Sequence, residues 1–349
     1  MVPLLLHSRH ASLGAVFGEL RGREIVGRYP GRDEDGALRG GAGLVDLSAR
    51  EVVRVTGPDR VSFLQGMVTQ DVEGLPEGAV ADAALLTAKG AMVADARVLK
   101  LPDALLLLVE PGLGPVALEF LNRYLISEDA ELADASGDLG QLALVGPGAE
   151  ALAARVFGLP AGEPGKLRRL DSAEGGGWVM PQGLLLPGVD VLVAAGALPG
   201  VFERLLEAGA SPVGFSALEV LRIERGTPRY GPDMDEKTIP LEANLQRALH
   251  YQKGCYIGQE VIARATFRGH VNRQLVGFRF AGSLPAPRTE LFSGERRVGW
   301  VTSAVESPRL GAIGLGYAHR DVAQPGTELA LAGGSGTATV EALPFSGAR

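Results

Sequence analysis

Forty-nine glycines and 22 prolines are spread along the whole of a 349-residue chain, which limits it to short elements joined by many tight turns. A chain of this length exceeds one ordinary core, so two or three domains are expected. The single cysteine excludes an internal disulfide and an internal multi-cysteine zinc site, and five scattered histidines form no spaced ligand cluster. An iron–sulfur centre held by this chain alone is therefore not expected, and a cluster shared between chains or with small thiols is left open. Against 41 acidic residues stand 34 basic ones, a formal charge of −7 that argues against a whole-surface nucleic-acid binder and confines any RNA contact to a local patch. The apolar run 2–6 lacks a basic region before it and is too short for a signal peptide. No stretch approaches the roughly 20 apolar residues of a membrane span, and the reading is a soluble cytoplasmic protein.

Taken in order, residues 24–29 read as a strand, and 43–48 and 52–56 as paired extended segments. Gly57-Pro58-Asp59 opens a helix that turns Val61, Phe63, Leu64 and Met67 inward. Lys89-Gly90 reads as a hairpin turn into the strand 92–99, whose apolar run Asp95 interrupts. Residues 104–109 read as a central strand and 116–125 as a helix with Leu118, Leu121 and Leu125 on one side. This mixture predicts an α+β fold rather than a regular βαβ repeat. A second version of the theme starts near Leu142, so residues 1–273 read as a body of two subdomains, the second beginning near 140. From 274 to 349, short β-rich segments divided by Gly, Pro and Ser predict a small barrel or sandwich.

Three places carry chemistry. Cys255 lies between Gly254 and Gly258, two residues from Lys253 and ahead of a helix-like run, an arrangement that favours thiolate; the alternative is a small buried hydrophobe. Ser216 and Glu219 form a capping-box pattern for a helix over 217–225, stopped by Gly226 and Pro228. On that helix Glu224 falls inside the apolar arc, in the last turn, where the dipole disfavours a carboxylate. Either an arginine such as Arg222 or Arg229 pairs with it, or it points into a pocket where two oxygens accept two N–H bonds from an aminopyrimidine-like ring. Arg264, Arg268, His270 and Arg273 form a basic stripe, read as a solvated face or an anion groove.

These motifs together resemble the folate-binding aminomethyltransferase superfamily, the T-protein of glycine cleavage and its relatives. The resemblance rests on residues 221–226 (Leu-Arg-Ile-Glu-Arg-Gly), Pro240-Leu241-Glu242 and Gly314-Leu315-Gly316-Tyr317, with 43–48, 57–59, 63–65 and 69–72 upstream. Within it, residues 253–260 (Lys-Gly-Cys-Tyr-Ile-Gly-Gln-Glu) resemble the signature of the YgfZ branch, linked to iron–sulfur enzyme maintenance and tRNA modification. The resemblance implies a multidomain ring around a channel that holds tetrahydrofolate, closed by a C-terminal antiparallel β-barrel. It implies that Glu224 binds the pterin, with Arg222, Tyr256 and Arg264 also on the folate side, and that Cys255, Lys253 and Asp95 carry chemistry. In the transferases a Gly-Gly turn leads to an Asp-Asp pair; here Lys89-Gly90-Ala91-Met92-Val93-Ala94-Asp95 offers one acid. The function implied is a folate-binding accessory factor whose partners are iron–sulfur client enzymes. The alternative is a folate-dependent transferase or demethylase that moves a one-carbon unit from an amine. Whether the folate is turned over stays open at this stage.

Overall fold

The computed structural model describes residues 1–159, 165–171, 176–180, 188–267, 269–334 and 336–347. Among them the longest helices, Leu198–Glu207 and Phe215–Glu224, have only ten residues, as so dense a spread of helix breakers requires. Two compact units are present: Met1–Leu85 with Ala94–Leu218, and Leu86–Val93 with Glu219–Arg349.

The first unit contains a two-stranded hairpin, Val16–Leu20 with Arg23–Arg28, and two larger sheets. One runs in the order Ala79–Leu86, Met92–Lys100, Leu105–Val109, Glu51–Thr56, Glu131–Asp134. Leu105–Val109 is its middle strand and is buried along its whole length, which explains its unbroken apolar run. The other sheet runs Arg168–Leu170, Gly177–Met180, Gly188–Ala194, Leu139–Val145, Gly43–Asp46, Ser211–Pro212. Segments 43–48 and 52–56 are thus not paired with each other. Leu44 lies opposite Leu144 in one sheet, and Val53 lies opposite Leu107 in the other. The link between them is anchored on both sides: Ser48 exchanges hydrogen bonds with the Gln141 backbone, and buried Arg50 pairs with Glu110. The chain therefore crosses between sheets where the two segments were expected to pair.

Helices Ala149–Phe157 and Leu198–Glu207 pack Leu152, Val201, Phe202 and Leu205 into the core that contains Leu144 and Val191. The helix expected over 116–125 spans Gly114–Asn122 and buries Ala117, Phe120 and Leu121. Pro115, tolerated in a first turn, lets it start earlier; Leu118 is half-buried and Leu125 lies beyond its end.

In the second unit the strands Arg273–Gly282, Gly311–His319, Arg296–Ser307, Glu290–Ser293, Glu328–Leu331 and Gly336–Glu341 form a closed antiparallel barrel, the last pairing back onto the first. Closure leaves no free sheet edge among them. Phe278, Leu291, Val301 and Ala338 are in its buried core. The fold is thus α+β with a closed C-terminal barrel. No helix among the described residues is long and apolar enough to cross a membrane.

Candidate functional site

Asp95 lies on Met92–Lys100, between buried Ala94 and Ala96. The residue keeps a partly exposed face, yet its Oδ1 is buried and has no hydrogen-bond partner among the described residues. Burial, then the charge of Glu110, pushes its carboxyl up from 3.8 to about 6, with Arg50 opposing. The nearby cations are already committed. Arg50 pairs with Glu110, and Arg97, two residues along the same strand face, pairs with Asp82 at 3.3 Å and Asp190 at 3.1 Å. Asp95 is therefore a carboxyl that ionises less readily than a free one, with an oxygen waiting for a donor.

The helix Phe215–Glu224 presents a different arrangement. It begins one residue before Ser216, so the expected capping box does not form, and Glu219 turns to Arg222 instead. Arg222 is 1% exposed and uses all five of its N–H donors. Nε and one terminal nitrogen bond to Glu219 at 3.0 and 2.5 Å; the other contacts are Thr227 O at 2.7 Å, Asp233 Oδ2 at 2.6 Å and Ser303 Oγ at 3.1 Å. Burial alone would lower its pKa, and the Asp233 and Glu219 carboxylates more than offset that. Asp233 is equally satisfied, accepting also from Arg229 N, Thr302 Oγ1 and Ser303 Oγ. The expectation that Arg222 binds folate is corrected: no donor is left.

Glu224 is enclosed as well. It is 0% exposed, its Oε1 accepts from the barrel hydroxyl Ser307 Oγ at 2.5 Å, and its backbone carbonyl accepts from Phe345 N at 3.0 Å. A carboxylate with no accessible surface lines no space that could hold a pterin ring. Ser307 in turn accepts from Arg309 N and Leu310 N, so Glu224 helps to hold a barrel turn in place.

In the third place, residues 253–258, Cys255 is exposed, which removes its reading as a buried hydrophobe. Gly258 explains the path of this loop. Its φ is +84°, and a Cβ there would meet Thr87 O at 2.6 Å, so the loop packs onto the 87–91 turn at a distance only glycine allows. Lys253 Nζ lies 5.1 Å from the centre of the Tyr256 ring. Partial burial pushes the Tyr256 hydroxyl up to about 12. Gln259–Phe267 follows, with Arg264 exposed on it. Arg268 lies outside the described residues. Arg273 leaves the stripe: it pairs with Glu242 at 3.0 Å, and its guanidinium carbon is 5.0 Å from the Trp300 ring centre and 5.3 Å from that of Tyr317. Lys253, Cys255 and Tyr256 thus share one loop of the second unit, and Asp95 belongs to the first. Asp233 could not be foreseen as the partner of Arg222, because a Pro-, Gly- and Asp-rich loop reads as exposed.

The family model described as the GCVT N-terminal domain matches residues 6–253, and that of the glycine cleavage T-protein C-terminal barrel domain matches 273–346. An aminomethyltransferase of Rubrobacter xylanophilus is 33% identical over 97% of this chain and 93% of its own length. One from Saccharopolyspora erythraea is 30% identical over 97% of this chain and 96% of its own. The crystal structure of glycine cleavage system aminomethyltransferase T from Bartonella henselae superposes with a TM-score of 0.89 at 26% identity, covering 99% of this chain and 98% of that one.

Proposed function

The chain belongs to the glycine-cleavage T-protein family, whose members bind tetrahydrofolate as their one-carbon carrier, and on that premise we propose that it is a folate-dependent aminomethyltransferase. The observation that carries this reading is the orphaned, buried Oδ1 of Asp95 on a carboxyl raised to about 6. Bound folate supplies nucleophilic ring nitrogens for a one-carbon unit. Ionised Asp95 accepts an N–H from such a ring, orients it, and takes up a proton as the unit is transferred. The buried Arg50–Glu110 pair sets how readily Asp95 ionises: Glu110 disfavours its ionisation and Arg50 limits the penalty. Glu224, Arg222 and Asp233 keep the helix and the following loop in place.

Anaerobic incubation with tetrahydrofolate and a thiol-bound aminomethyl donor is expected to yield methylene-tetrahydrofolate, ammonia and the free thiol. No product with the wild-type protein would remove the transferase reading.

One observation favours a second reading: Cys255 is an exposed thiol on a loop fixed by Gly258. A thiol so placed suits an accessory factor that meets iron–sulfur client enzymes, including those of tRNA modification. The same assay separates the two, because Cys255→Ala leaves turnover unchanged under the first reading. Under the second, that variant fails to restore iron–sulfur enzyme activity in cells lacking the protein.

A further inference from the structure

Within the second unit, the loop 231–238 and the barrel enclose a cleft of about 640 Å³, a volume typical of small-molecule sites. Its charges decide what it can hold. Asp233 is neutralised by Arg222, Arg273 by Glu242, and Arg297 by Glu290. Asp235 Oδ1 accepts from Lys237 N and Thr238 Oγ1, and Asp235 stays a negative charge on the cleft with no ion-pair partner among the described residues. Two exposed cations that line the cleft, Lys237 and Arg288, have no ion-pair partner among the described residues.

Arg288 is held there against its backbone preference. Thr289 N donates to Ala286 O at 3.1 Å, closing a turn with Pro287 second and Arg288 third, and Arg288 has φ +68°. Proline followed by a positive φ is the pattern of a type II turn, whose third position suits glycine or asparagine. Arg288 N also donates to Val301 O at 2.7 Å, which fastens the turn to the cleft wall. A side chain kept at a position where glycine costs less is one whose head group has a use, and here that head group is an unpaired cation on a cavity.

We propose that this cleft binds a small dianion, a phosphate or a pair of carboxylates, between Lys237 and Arg288, with the ligand's skeleton against Trp300. Two cations against the one unpaired carboxylate of Asp235 leave the cleft net positive, and a guanidinium can grip either group with two parallel N–H bonds. Trp300, whose ring packs against Tyr317 and Arg273, lines the same cleft.

The chain has two tryptophans, so Trp178→Phe leaves Trp300 as the sole indole reporter. In that background, phosphate and glutarate are titrated at constant ionic strength against a chloride control, following Trp300 fluorescence. A saturable response to one of them supports the proposal and identifies the dianion. Arg288→Gly and Lys237→Gln are each expected to weaken it at least tenfold. Arg288→Gly removes the backbone strain and should melt no lower than its parent; Arg288→Asn, which also tolerates positive φ, provides a second check. A response no larger than that to chloride, or one unchanged in Arg288→Gly, overturns the proposal. So does a lower melting temperature for Arg288→Gly, since the arginine would then serve the turn itself.

Discussion

At pH 8, Asp95→Asn is expected to be more stable than the wild-type protein and close to inactive. The two effects share one cause. In the folded chain the Asp95 carboxyl is raised from 3.8 to about 6, so ionising it costs folding free energy. The sign follows from proton linkage. A group raised on folding contributes stability that is fully present below its unfolded value, near pH 4, and is lost as pH climbs through the folded value near 6. The amide never ionises and escapes that loss, which amounts to at most about 3 kcal/mol above pH 7 for a shift of this size. Urea denaturation at pH 4 and pH 8 checks this: the variant should match the wild type at the lower pH and exceed it at the higher. The amide also lacks the proton-accepting oxygen, so methylene-tetrahydrofolate formation is expected to fall by roughly 10²- to 10⁴-fold. The wild-type rate should rise with pH through about 6. A variant with undiminished turnover, or one stabilised equally at both pH values, would show that Asp95 is an ordinary strand carboxylate.

The second large effect is on folding. Arg222→Met strips the buried Asp233 of its cation, leaving a 0%-exposed carboxylate wedged between Ser303 and Thr302. Breaking such a pair from one side costs about 3–5 kcal/mol, because the remaining charge stays buried. Arg222→Lys is also expected to be costly, since an ammonium offers three donors to sites that now take five. In a double-mutant cycle by urea denaturation, Asp233→Asn should cost far less once Arg222 is gone. Loss of folate affinity with unaltered stability in Arg222→Lys would return this arginine to the ligand.

The parts of this protein that could be read from its sequence are those set by near neighbours. The glycine and proline spacing announced short elements; unbroken apolar residues marked Leu105–Val109 as central; and Lys89-Gly90 marked the turn that Gly90 closes at φ +73°. Asp95 was visible as an acid inside an apolar strand. Pairings over long separations were not visible. Gly43–Asp46 and Glu51–Thr56 have similar compositions but lie in different sheets, and partners near residues 107 and 144 decide which. Glu224 was recognised as a misplaced carboxylate, but its partner Ser307 is 83 residues away, and a serine in a strand carries no mark of that role. Of the two acids that the sequence singled out, Glu224 has no exposed surface and is bonded to a barrel serine, whereas Asp95 keeps a partly exposed face, and the proposed function rests on Asp95.

The most direct measurement is an anaerobic calorimetric titration of tetrahydrofolate into the wild-type protein and Asp95→Asn at pH 8. A hydrogen bond to a charged group contributes about 1.5–3 kcal/mol, so saturable one-to-one binding should weaken by roughly ten- to a hundredfold in the variant. Absence of saturable binding to the wild type, or equal affinity for both proteins, would contradict the assignment of Asp95 as the folate-facing carboxylate.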